Sequence, residues 1–550
     1  MPDTPTPGPG TALVNARLFT AGQESSVAGA VAVRDGRIVA VGTDDEARAA
    51  AGPGSEVVDV GGGLVLPGFQ DAHVHPVMAG LDMIRCDLHG TTSADECLAR
   101  VAAYALVNPG QEWILGGGWS MEHFPGGTPT RQALDAVVSD RPVVLTNRDG
   151  HGAWANSVAL RLAGIGVGTP DPPDGRIERE EGGHPSGALH EGAMDIALRH
   201  APPAGAHEGR AALLAAQAEL FTLGITGWQD AAVGAMWGMP DLLETYLDAA
   251  VSGELVARVV GALWWERDQG AEQVETLVER RAHATAGRFR PIAVKIMQDG
   301  VAENYTAGMT EPYLDGCGCA TGNSGLSFVD PEALRGHVTR LDAEGFSVHF
   351  HALGDRAVRE ALDAVEAARA ANGPSSNRHH LAHLQVVHPD DLPRFAALDA
   401  SANIQPLWAC HEPQMDELTI PFIGERRAAW QYPFGSLAAA GARLVAGSDW
   451  SVSSADPLEG IHVAVNRRAP GSAAPAFFPE NALTLAQAVT AYTAAAAYVN
   501  HQDDVTGALR PGFHADLAVL DRDVFTAPPE EICEARVVRT YVGGELVHHA

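Results

Sequence analysis

The string LPGFQDAHVHP places His73 and His75 one residue apart at the end of an apolar run. Alternation along a strand turns both imidazoles to one face, where both reach a single cation. Alone, such a pair reads equally well as two core or surface histidines. Its weight comes from where the other candidates fall. Lys295 sits inside the apolar run PIAVKIMQDG, where an ammonium is costly unless it is paired or modified. Its ordinary reading is a lysine snorkelling from a strand end. His351 closes SVHFH, His383 lies in HLAHLQVVHP and Asp449 follows the run LVAGS. Each of these six groups falls at the C-terminal end of an expected strand. Imidazoles and carboxylates gathered in one place suit a divalent metal, and a metal at neutral pH activates water for hydrolysis.

The elements that must position them alternate. Apolar strand-like runs occur at 64–69, 224–230, 257–265, 291–297, 346–351, 380–386, 402–408 and 443–448. Helical stretches separate them. Val274, Leu277 and Val278 recur at helical spacing, and Ala357, Val358, Ala361, Leu362, Val365 and Ala368 make one apolar face. Eight such units predict a (β/α)8 barrel; the same alternation also permits an open doubly wound sheet. In a barrel the candidates stand on strands one, four, five, six and eight, whose C-terminal ends converge.

Residues 11–60 and 505–550 share a different texture, short β-branched runs broken by DG and GG turns. They predict one β-sandwich built from both termini, residues 1–62 with 505–550, behind a Pro-rich, disordered leader MPDTPTPGPG. The barrel spans 63–504. About 150 residues separate His75 from Gly224 where one helix suffices. Residues 80–220 therefore read as an insertion after strand one that walls the pocket and sets substrate choice. The Ala-rich run at 491–499 reads as helix.

Net charge is −32, which would repel phosphate, so neither nucleic acid nor an anionic membrane is an expected partner. No apolar run approaches the ~18 residues of a membrane span, and the start has neither the basic nor the apolar region of a secretory signal. The six cysteines form no pair of CxxC motifs. Cys317 and Cys319 read as incidental to a Gly-rich loop, and a reduced, cytoplasmic protein is expected.

The ordered set His73, His75, Lys295, His351, His383 and Asp449 resembles the amidohydrolase superfamily. The fuller strings GFQDAHVHP, VKIMQDG, HFHALGDRAV, HLAHLQVV and AGSDWSV resemble its YtcJ-like and N-substituted formamide deformylase-like subgroup, and the insertion's GGGWSMEHFPGGTPTRQALD, TNRDGHGAWANSVAL and SGALHEGAMD match that style. The resemblance implies a barrel with a terminal β-sandwich and a centre of one or two divalent metals, zinc being the default. It implies that His73, His75 and Asp449 hold the more buried ion, and that His351 and His383 hold a second. Lys295, carboxylated by CO2, bridges the two, and Asp449 takes the proton of the attacking water. The implied activity is hydrolysis of a small amide-type C–N bond, such as an N-substituted formamide. A carbamate, cyclic amide, ester or lactone is the alternative substrate, and a non-catalytic barrel is the remaining one. The expected partner is a small-molecule substrate, and a homodimer is compatible.

Lesser candidates surround this set. His151 in RDGHGAW and Trp119 are expected to touch substrate, with Trp154, Trp408 and Trp450 as further apolar walls. Asp71 is placed to orient a ligand. His349 is a ligand, a supporting residue or a core histidine. Asp299 and Glu303 either bond ligands or cap a helix, Asp355 and Arg356 start one, and His379, His380 and His388 read as loop or surface residues.

Overall fold

The computed structural model describes residues 10–235 and 241–550; the Pro-rich leader up to residue 9 lies outside them. Eight parallel strands form the central sheet: β1 (Phe69–Val74), β2 (Ile225–Val233), β3 (Arg258–Trp264), β4 (Phe289–Met297), β5 (Ser347–Ala352), β6 (His380–His383), β7 (Ser401–Ile404) and β8 (Arg443–Ala446). Their order is sequential from β8 to β1, that of a nearly closed barrel. Nearly all their residues are buried, as parallel strands between helices must be. The apolar face foreseen on Asp355–Asn372 is the buried one, and the expected helix at 271–283 spans Gln273–Ala284. The Ala-rich run forms the end of Leu485–Ala491 and the helix Ala494–Val499.

The first strand differs from its expected place. The run at 64–69 is not one strand. Leu64–Pro67 pairs with Leu517–Leu520 in the terminal sheet, and β1 begins at Phe69. Gly68 separates the two, and a Cβ there would sit 2.3 Å from the Thr226 side chain. That close approach lets the chain pass from one sheet to the other. The terminal sheet takes Thr11–Leu18, Val27–Arg34, Arg37–Gly42, Glu56–Asp59 and Leu64–Pro67 from one end. From the other it takes Leu517–Leu520, Val537–Val542 and Glu545–His549.

Between β1 and β2 the chain builds a further six-stranded sheet, from Cys86–Asp87 to Pro185–Glu191. The stretch 175–179, expected as loop, is one of its strands. The helix that a barrel requires between β1 and β2 is Ala206–Thr222, inside the 80–220 segment. Among the described residues no helix is long and apolar enough to cross a membrane.

Side chains and loop backbone draw the two edges of the barrel together. Asp449 N–H donates to the His73 carbonyl at 2.8 Å, and Asn403 Nδ2 donates to Ala72 O at 2.9 Å. The Asp71 carboxylate accepts from the backbone N–H of both His73 and Ser448, at 3.0 and 3.1 Å. Here Gly447 touches β1, and a Cβ on it would lie 2.6 Å from the His73 backbone nitrogen. Gly447→Ala is therefore expected to cost about 1–3 kcal/mol of stability, as overpacked sites do. A denaturant midpoint equal to that of the parent would show that the seam has room.

Candidate metal centre

Register sets the height of each candidate. β4 and β5 pair Lys295 with His349 and Met297 with His351, while β5 and β6 pair Ala352 with His383. His351 and His383 thus emerge side by side, with ring centroids 4.5 Å apart. Asp449 lies three residues past β8 in the left-handed region, φ 56°, and His383 has φ 80°. Such backbone is strained for residues with a Cβ and is held by its surroundings. His75 stands just past β1, ahead of the helix Pro76–Ile84.

All six groups line one cavity of about 500 Å³. At its floor the Asp449 Oδ1 lies 3.1 Å from His75 Nε2 and 3.2 Å from His73 Nε2. Donor atoms of these three residues fall within 4.8 Å of one another. The Asp449 Oδ2 is 3.8 Å from His383 Nδ1. Proximity here is not hydrogen bonding. Asp449 Oδ1, both ring nitrogens of His383, and Nδ1 of His75 and of His351 are buried with no hydrogen-bond partner. Buried polar atoms are rarely left so. Asp449 Oδ1 and the His383 nitrogens, beside the Nε2 atoms of His73 and His75, form a set that fits a divalent cation held between them.

The electrostatics agree with the crowding. Burial raises the Asp449 carboxyl, but the imidazoles of His73, His75 and His383 outweigh that and hold it well below the usual carboxylate range. Burial pushes the Lys295 ammonium down to about 7 against the opposing pull of Asp449. Asp299, fully buried 3.3 Å from His351 Nδ1, accepts the backbone N–H groups of Gly308, Leu353 and Gly354. Burial still raises its carboxyl to about 7. Its hydrogen bonds go to loop backbone, at Leu353 and Gly354 leading into the helix Asp355–Asn372, not to His351 Nδ1.

The sequence profile of the amidohydrolase family matches residues 56–548. The chain belongs to the amidohydrolase family. It is 29% identical over 538 residues to a putative amidohydrolase, YtcJ, of Bacillus subtilis, covering 96% of this chain and 98% of the relative. It is 30% identical over 550 residues to the N-substituted formamide deformylase of Arthrobacter pascens, covering 97% of each. A crystal structure of an uncharacterized metal-dependent hydrolase from Pyrococcus furiosus superposes with a TM-score of 0.72 at 27% identity, covering 94% of this chain and all of the other. The chain is thus a metal-dependent hydrolase of carbon–nitrogen bonds with a small-molecule substrate.

The cavity walls of this amidohydrolase come partly from the insertion, through Leu115, Val144, Arg148, His151, Met194 and Leu198. Trp408 and Trp450 also line it, and Trp408 stacks on His383 at 5.4 Å. Trp119, expected to touch substrate, does not line it. Its ring packs with Phe124 and Trp154 in the insertion's own apolar core, and its Nε1–H donates to Leu145 O at 2.9 Å. A tryptophan in a small sheet domain is claimed by that domain's core. Trp154 shares its place.

His151 does line the cavity, with its ring centroid 5.3 Å from that of His351. Its Nδ1 lies 3.0 Å from Glu191 Oε2, and Glu191 Oε1 accepts from Thr306 Oγ1. Burial alone would lower the His151 imidazolium; the Glu191 charge overrides it and holds the group up at about 9. Glu191 went unforeseen, although it is a carboxylate between the apolar residues of SGALHEGAMD. Glu303 lines the cavity and accepts from Thr419 Oγ1, and burial lifts its carboxyl to about 7. Asp71 orients backbone, not an imidazole. Asp355 begins a helix and accepts from Thr310. His379 and His380 are fully buried, not surface residues, His380 within β6 and His379 in the loop just before it, and His349 is buried in β5, as a core or supporting histidine would be. His379 bonds Asp342 at 3.0 Å. His388 caps a short turn with its Nδ1.

The raised His151 group gives stability that is complete below its unfolded value of about 6.5 and is lost as pH rises through about 9. Thermal midpoints of the parent and Glu191→Gln should differ most near pH 6 and converge by pH 10. A gap independent of pH would mean that the pair carries no buried charge.

Proposed function

We propose that this chain hydrolyses a small amide-type C–N bond, with an N-substituted formamide as the leading substrate, at a zinc centre held by His73, His75 and Asp449. Lys295, His351 and His383 complete the donor set for a second ion. The observation that carries the reading is the cluster at the floor of one cavity, where the Nε2 atoms of His73 and His75 stand within 3.2 Å of an Asp449 Oδ1 that has no hydrogen-bond partner. Zinc suits imidazole and carboxylate donors. When bound, it acidifies water and polarises the substrate carbonyl.

The chain's own groups do the rest. Asp449 is ionised at neutral pH, so it can accept a proton from water in the cavity and pass it to the leaving nitrogen, which must be protonated to depart. Lys295, with burial drawing it to about 7, has a substantial neutral amine fraction. That lone pair forms an N–C bond to CO2, and loss of one proton leaves a carbamate anion among imidazoles. His151, fixed by Glu191, holds the substrate's polar group. The apolar side chains of Leu115, Val144, Met194 and Leu198 receive its substituent. The N-substituted formamide deformylase of Arthrobacter pascens, similar over the whole chain, supports the choice of formamide.

His73→Ala and His75→Ala are each expected to lose metal and activity together with far-UV circular dichroism unchanged. Full metal content with full activity in both would remove the assignment. Asp449→Asn keeps an oxygen ligand and loses basicity. It should retain part of its metal while kcat on a formamide falls by about 10²–10⁴-fold. Assaying formamides beside a carbamate, cyclic amide and ester panel tests the substrate class; turnover of esters alone would overturn it.

A further inference from the structure

Beneath the cavity floor lies a run of buried polar side chains that the hydrolytic reading does not use. Asn403 Nδ2 donates to the Ala72 carbonyl at 2.9 Å and lies 3.1 Å from His380 Nδ1. His380 Nε2 is 3.0 Å from Gln229 Oε1, and the same oxygen is 2.7 Å from His349 Nδ1. His349 Nε2 is then 2.8 Å from His73 Nδ1. Gln229, His349, His380 and Asn403 are all buried to within 1%.

Hydrogen-bond direction along this run is forced from one end. A backbone carbonyl only accepts, so the Asn403 atom facing Ala72 is its NH2 group. The second hydrogen of that group points at His380 Nδ1, which therefore accepts. A neutral imidazole carries one proton, so His380 Nε2 donates to Gln229. The Gln229 atom between the rings is thus its oxygen. This agrees with its other end, where Nε2 donates to Asn500 Oδ1 at 3.1 Å. The oxygen takes a second proton, from His349 Nδ1. His349 Nε2 is left to accept, and His73 Nδ1 must donate. Both rings are neutral: the hydrogen-bond partners of His349 and His380 are Gln229, His73 and Asn403, with no carboxylate among them to balance a charge, and both rings are fully buried.

We propose that Gln229 is a positioning residue which, through His349, fixes the proton of His73 on Nδ1 and turns the Nε2 lone pair toward Asp449 and the metal. The uncharged amide is suited to this task. It accepts two N–H groups from two strands and adds no anion to compete for the proton. Removing its oxygen frees His349 to carry its proton on Nε2. The proton of His73 then moves to the ligating nitrogen, and metal must displace it. Metal ligands that lose such support typically bind 10–100-fold more weakly.

The inference rests on the proposed metal centre, and its test separates the two. Neutron diffraction from deuterium-exchanged crystals of the full chain should show deuterium on Nδ1 of His73, Nδ1 of His349 and Nε2 of His380. Deuterium on Nε2 of His349 would overturn the relay whether or not metal binds. Gln229→Met keeps the volume and lacks the acceptor. Titrated with zinc against a chromophoric chelator, it should bind 10–100-fold more weakly than the parent at an unchanged Asp449 site. Parent-like affinity would overturn the proposal. Absence of zinc binding by the parent itself would instead remove the metal centre and leave the neutron result standing.

Discussion

A single buried carboxylate faces four imidazoles and an ammonium. Around Asp449 stand His73, His75, His383 and Lys295, with His351 beside His383. Protonated imidazoles stabilise that carboxylate, as its depressed pKa reflects, whereas neutral ones facing it through lone pairs repel it. Each such buried atom costs about 1–3 kcal/mol when left without a partner. A divalent cation converts that repulsion into coordination. The structure around the site reads as the means of holding these groups together in spite of it.

Closure of the barrel is the first of those means. Candidates from β1, β4, β5, β6 and the turn after β8 arrive at one point only because the strands tilt and converge at their C-terminal ends. The seam between β8 and β1 carries the greatest demand. Asp71, Gly447 and the Asp449 N–H join there within a few residues of the His73–His75 pair. The insertion then roofs the centre. It brings His151 and Arg148 together with apolar side chains, so the same wall limits water and offers a surface to a substrate.

Much of this was legible in the sequence, because strand-end chemistry has a local signature. Histidine, lysine and aspartate at the ends of apolar runs stood out, and the cavity gathers all six. The count of runs allowed a barrel or an open doubly wound sheet, and the family resemblance pointed to the barrel. The run at 64–69 misled because a strand that changes sheets shows no break in hydrophobicity; only the Gly68 contact with Thr226 marks it. Trp119 misled because a large aromatic ring carries no sign of which core claims it. Gln229 and Asn403 were visible as amides inside the apolar runs GITGWQD and ANIQPLW. Their roles depend on contacts across four strands, which spacing does not report. Glu191 pairs with His151 across 40 residues through antiparallel strands of the insertion, again outside the reach of a local pattern.

The account turns on the cation at Asp449. Anomalous diffraction from crystals grown with zinc, collected on both sides of the zinc absorption edge, tests it directly. The account predicts a peak bonded to Nε2 of His73, Nε2 of His75 and an Asp449 carboxylate oxygen. Crystals with no peak in the cavity, and with Asp449 instead hydrogen-bonded to protonated His73 and His75, would contradict it.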